Sequence, residues 1–257
     1  MTIENLSNKP LVEAIFELRW ELEENSRGIL IDPAYKLLVG QLYNNLKSSY
    51  KNHVPLPSSN MPDEIAAYVV QHQFRNGEEG WPLIQLGPGV LTLNDTDGYK
   101  WPDFNKRIHE LLNVFFSTLP ELNPKFKLNK LILRYIDAES FDFENENIWV
   151  FLKEKMKINI NLDDKLFINT HVQKLPLAFD FRFTLPSKSP KGVMNLKISS
   201  GAKNDVPSLI WDTQMHSIFE DVPQQIENIK KWVDEAHNLT HNWFFNMIDG
   251  ELLEKYK

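Results

Sequence analysis

His237 and His241 stand four residues apart beside Asp234 and Glu235, a spacing that puts both imidazoles on one face of a helix. Two rings so placed can share a metal ion. The glutamate that zinc hydrolases carry straight after the first histidine is replaced by Asn238, and both rings border an apolar stripe through Ala236, Thr240 and Trp243. The pattern therefore favours ordinary helix-edge histidines. Asp137, Glu139, Asp142 and Glu144 could hold magnesium or act as an acid–base pair. Their setting reads instead as a solvated acidic loop between a strand and a helix, with residues 144–147 suited to the helix start. Asp163-Asp164 and Asp95-Thr96-Asp97 fit turns.

Gly87-Pro88-Gly89 follows an apolar run, as a phosphate-cradling loop would. A Walker loop needs Lys-Ser/Thr after its last glycine, and a dinucleotide loop must open a helix. Here Val90-Leu91-Thr92-Leu93 continues as a strand pattern. The glycines are read as a tight turn between two strands.

Arg19 and Arg134 occupy matching places in Leu18-Arg19-Trp20 and Leu133-Arg134-Tyr135. Strict alternation puts Arg134 between Ile132 and Ile136, on a face too apolar for a free charge, so both guanidiniums need carboxylates or carbonyls. Two matching buried ion pairs, with Glu17 or an acid from a neighbouring strand as partner, are favoured over a pair of anion anchors facing a shared groove. Lys125, Lys127, Lys130 and Arg134 gather around Phe126, with Lys188, Lys191 and Lys197 as a sparser second patch. Such strips can follow a single nucleic-acid strand, but lysines that deter wrong edge pairing are the preferred reading.

No nucleophile motif stands in a supporting context, and Ser199-Ser200-Gly201 is a weak candidate. The chain has no cysteine, which excludes disulfides, thiolate metal sites and a cysteine nucleophile. No catalytic residue, metal or cofactor is expected. A net charge of −7 and a pI near 5.6 argue against a surface that grips duplex nucleic acid. The start of the chain lacks the basic and apolar regions of a signal peptide, and no apolar run reaches the roughly 20 residues of a membrane span. A cytoplasmic protein is the resulting expectation.

These side chains must be positioned by a recognisable series of elements. Residues 12–20 alternate as a half-buried strand. Asp32-Pro33 starts a helix through Leu46, residues 66–74 and 83–86 are strands, and Val90 to Leu93 is a third. Pro102 opens an amphipathic helix carrying Phe104, Ile108, Leu111 and Phe115, which with Trp101 should cover the first-half sheet. Residues 130–136 begin the second half as a strand; Asn147 caps a helix, and strands follow over 177–185, 193–198 and 208–215. Pro223 opens the last long helix. Apolar positions behind Pro102 and Pro223 fall at matching offsets. The expected fold is therefore α+β: two pseudo-duplicated lobes, residues 1–122 and 123–257, in one continuous unit. Each repeats strand, helix, strands and long helix, with a mostly antiparallel sheet and helices on one face.

Several blocks carry a resemblance: Pro10 to Phe16; Gln85, the turn, Asn94, Tyr99, Trp101-Pro102 and Phe104; Leu133 to Asp137; and Trp243-Phe244-Phe245. Together they resemble, over nearly the whole chain, a sporadically distributed prokaryotic family of some 250 residues with no assigned activity. Its patchy occurrence resembles that of mobile defence or toxin–antitoxin genes.

The functional expectation is a non-catalytic binding or regulatory protein taking a protein partner or a small anionic ligand, with nucleic acid less favoured. The alternatives are a metal-dependent hydrolase or nuclease using Asp137, Glu139 and a histidine brought close by folding, and a sensor of a small anion or nucleotide between the lobes. The candidate ligand-binding residues are Arg19, Arg134, Asp137, Tyr99 and Trp101.

Overall fold

A computed structural model describes residues 6–96 and 98–257. Asp97, part of one sequence-derived turn, and the first five residues lie outside it. In chain order the elements are β1 (Leu11–Trp20), β2 (Glu23–Glu24), β3 (Leu30–Ile31), α1 (Tyr35–Leu46), β4 (Asn52–Pro55), β5 (His72–Arg75), β6 (Leu83–Gly87), β7 (Val90–Asp95) and α2 (Trp101–Leu122). Then come β8 (Leu128–Ser140), α3 (Ile148–Lys155), β9 (Asp180–Lys188), β10 (Lys191–Lys203), β11 (Val206–Ile218), α4 (Ile226–Ile248) and α5 (Glu251–Tyr256).

Nine strands form one antiparallel sheet in the order β4-β5-β6-β7-β1-β8-β11-β10-β9. The first strand of each half lies at the centre, and the strand preceding each long helix lies next to it. Phe16 of β1 sits opposite Leu133 of β8 and Leu93 of β7, while Leu133 also faces Met215 of β11. That row gives the sheet an apolar face. Leu38 and Leu42 of α1, Phe104 to Phe115 of α2, and Ile229, Trp232 and Val233 of α4 bury it. A second core joins α3, α5 and the end of α4 to Leu196, Ile198 and Trp211. The opposite face carries polar side chains, among them Glu13, which accepts a 2.7 Å hydrogen bond from Asn94.

Gly87-Pro88-Gly89 is the tight connection between β6 and β7, with Gly89 at φ +77°. A Cβ on Gly87 would lie 2.0 Å from the Val69 carbonyl oxygen. The Gly89 amide does hold a carboxylate, but one from its own chain: Asp32 accepts from it at 3.2 Å and from the Trp20 indole at 2.9 Å. The phosphate-loop reading falls on both counts.

Several expected boundaries move. The strand expected over 66–74 is confined to β5, because Tyr68 takes a left-handed backbone (φ 60°) and its N–H turns to the Pro88 carbonyl. Pro33 precedes rather than opens α1, since the Asp32 carboxylate caps Ala34 at 3.1 Å while tying Trp20 and Gly89. Pro223 lies three residues before α4, in a connection where the Gln224 amide clasps both backbone groups of Leu128 at 2.9 Å. The strand expected from Leu177 begins at Asp180. Asn147 caps α3 as expected, accepting from Trp149 and Val150.

Candidate functional site

Asp137 is the residue that sequence reasoning placed least well. It was expected in a solvated loop, yet β8 extends to Ser140 and buries it to 3% exposure. Alternation from Leu133 carries Tyr135 and Asp137 onto the helix-covered face. Glu139 is also in the strand and buried, accepting from the Tyr256 hydroxyl at 2.7 Å and from Lys255. Only the end of the acidic stretch is an exposed turn, where Asp142 accepts from the Glu144 and Asn145 amides.

Asp137 borders a cavity of about 400 Å³ between the sheet, the start of α2, the middle of α4 and residues 6–11. Tyr99 and Trp101 line it as well, so three of the five sequence candidates meet there. Trp101 packs against the main core that includes the first-half sheet and also stacks on His237 of α4. Trp101 is the first residue of α2. Phe244 and Phe245 add apolar wall from the next turns of α4.

The polar base is a short relay. Tyr99 donates to the Tyr135 hydroxyl at 3.1 Å, and Tyr135 lies 3.0 Å from His237 Nδ1. The Tyr135 hydroxyl can donate to Nδ1 or accept from it, according to the imidazole tautomer. Burial, followed by the neighbouring His241, lowers the His237 pKa to about 3, so this ring is neutral. Burial pushes the hydroxyls of Tyr99 and Tyr135 well above the usual tyrosine range. Lys9 donates to the Tyr99 carbonyl at the rim, and desolvation, then the charge of Lys100, lowers its pKa.

No hydrogen bond reaches the Asp137 carboxyl among the described residues. Burial first, then Asp212, raises its pKa to about 8, partly offset by Lys203 and the Trp211 indole. Trp211 Nε1 nevertheless lacks hydrogen-bonding geometry to any partner, as does Thr213 Oγ1 on the cavity wall. Trp211 and Thr213 sit opposite Asp137 and Tyr135 in the β8–β11 register.

Arg19 and Arg134 are on the other side of the sheet. Arg19 pairs with Glu17 at 2.6 Å, and Arg134 binds Asp212 through Nε and Nη2, the shorter contact being 2.6 Å. Both pairs are present as expected, but neither is sealed: the guanidinium side chains are 32% and 37% exposed. They do not join the cavity. The basic strips are also engaged with acids, Lys127 with Glu21, Lys191 with Asp221 and Lys197 with Asp180. His237 and His241 lie on the cavity wall with ring centroids 5.3 Å apart. No group of three or more metal-ligating side chains forms among the described residues.

Compared with family models, curated proteins and solved structures, the chain matches none. No helix among the described residues is long and apolar enough to cross a membrane. Function must therefore be argued from the cavity.

Proposed function

We propose that this chain is a binding protein whose ligand is a small molecule held in the cavity between α2, α4 and β8. One observation carries the reading: the Asp137 carboxyl, only 3% exposed and without a hydrogen bond among the described residues, stands on the wall of a cavity lined by aromatic rings. Buried polar groups are normally satisfied, and leaving one bare costs roughly 1–3 kcal/mol or more. Apolar walls around a few converging polar groups suit a ligand of modest size. A thermal-shift screen tests this. A ligand at 100 times its Kd adds about 2.7 kcal/mol, and Phe245→Ala should reduce that gain. If no compound shifts the melting temperature and native mass spectrometry finds no bound species, the reading fails.

A protein partner is the second reading. None of residues 161–189 is buried, and this run includes Ile168, Val172 and Leu177, the last 96% exposed. Apolar exposure on that scale is a feature of interaction surfaces. Light scattering combined with size exclusion tests self-association: the monomer mass at all concentrations would leave only a different partner.

A further inference from the structure

Each group around Asp137 is accounted for. Tyr135 on β8, Tyr99 beside α2 and Tyr256 on α5 are neutral phenols with raised pKa values. His237 and His241 on α4 have lowered pKa values through burial. Asp212 on β11 adds like charge, and it is already engaged with Arg134 on the far face. Among the described residues, the cations within electrostatic reach or on the cavity wall are Lys203 at the end of β10, Lys9 before β1 and Lys100 before α2. Lys9 is committed to the Tyr99 carbonyl, and none of the three forms a salt bridge with Asp137 among the described residues.

Resting on the small-molecule reading above, the geometry points to a ligand that carries a protonated amine, docked on the Asp137 carboxyl with its apolar body against Trp101, Phe244 and Phe245. Three considerations carry this. An ammonium supplies hydrogen-bond donors to the carboxyl and also compensates its charge, which a neutral donor does not. The faces of aromatic rings attract cations. An anion would meet a carboxyl, two phenol oxygens and a neutral imidazole, and among the described residues no cation pairs with Asp137 to receive it. The small anionic ligand expected from the sequence had been tied to Arg19 and Arg134, which lie on the opposite face.

Three matched probes test the inference: tryptamine, tryptophol and indole-3-acetate, which share an indole and differ in the charge of the side-chain terminus. Titration calorimetry at pH 7 should find tryptamine at least tenfold tighter than tryptophol, with indole-3-acetate weakest. In Asp137→Asn the advantage of tryptamine should disappear while tryptophol binding persists. Calorimetry in buffers of different ionisation enthalpy gives a second readout. With burial holding the Asp137 pKa near 8, the carboxyl must give up its proton to ionise beneath an ammonium at pH 7, so tryptamine should release up to about one proton and tryptophol none. Equal affinity for amine and alcohol, unchanged in Asp137→Asn, would overturn the amine assignment and leave the small-molecule reading intact. Tighter binding of indole-3-acetate would overturn it in favour of an anion. No binding of any probe to the wild type, with no hit in the broader screen, would remove both.

Discussion

The indole of Trp101 lies flat on the imidazole of His237, with ring centroids 3.6 Å apart and planes 8° from parallel. One ring opens α2 and the other sits in mid-α4, so the stack fastens the two long helices at the cavity. It also keeps water from the imidazole. A histidine in the unfolded chain titrates near 6.5, whereas His237 is held near 3. Below pH 6.5 the unfolded chain takes up a proton that the folded chain refuses. The stability contributed by neutral His237 is therefore intact above 6.5 and is lost as pH falls toward 3. In NMR titration one imidazole resonance, assigned by its loss in His237→Gln, should stay fixed between pH 8 and 4.5. In Trp101→Ala the same resonance should begin to titrate within that range.

Phe115 is fully buried, 5.2 Å from the Trp20 ring and 5.6 Å from Phe126. Replacing it by alanine should cost about 3–5 kcal/mol, read as a lower urea midpoint at unchanged slope. A loss under 1 kcal/mol would show that the helix–sheet core repacks around the gap.

Gly87→Ala should be among the most damaging single-methyl additions. The new Cβ would meet the Val69 carbonyl oxygen and carbon at 2.0 and 2.7 Å, and both are backbone atoms that cannot rotate away. Gly98→Ala is the control, because nothing lies within 4 Å of the added carbon, although its φ of +75° carries ordinary strain. Thermal denaturation should separate the two clearly.

Periodicity made the fold legible, and it nearly reached the site. Alternation through Leu18-Arg19-Trp20 and Leu133-Arg134-Tyr135 placed both arginines correctly on the face away from Phe16 and Leu133. Carried two residues further, it puts Asp137 on the apolar face, which is where it lies. The acidic composition of 137–144 suggested a loop, and that misplaced the strand end. Other features depend on distant chain segments. Gln224 reaching Leu128 joins residues 96 apart, and Trp101 meeting His237 joins residues 136 apart. No local pattern encodes such meetings. The left-handed Tyr68 that shortens β5 is likewise set by the Pro88 carbonyl.

Arg134 and Asp212 form a two-point ion pair on the open face, with the guanidinium side chain 37% exposed. Water screens a pair so placed, so a double-mutant cycle through Arg134→Ala and Asp212→Ala should give a coupling of about 1 kcal/mol or less. It should fall further between 0.1 and 1 M salt, where the screening length drops from about 10 to 3 Å. A salt-insensitive coupling of several kcal/mol would mean that the face is covered in solution.

Asp137 should make the protein more stable in mild acid than its other groups would. Its folded pKa of about 8 lies far above the 3.8 of a free aspartate, with burial as the first cause. Below 3.8 the group is protonated in both states and imposes no penalty. As pH rises, the unfolded chain ionises first, and the relative stability of the fold declines until the pH passes 8. Asparagine keeps the shape and cannot ionise. The stability of Asp137→Asn relative to wild type should therefore increase from pH 4 to pH 8, at up to about 1.4 kcal/mol per pKa unit of the shift. Urea unfolding of both proteins at pH 4, 6 and 8 measures that difference directly. A difference that stays constant across the series would mean that the carboxyl is ionised and compensated in the native fold, for instance by Lys203, the nearby cation that already moderates its pKa.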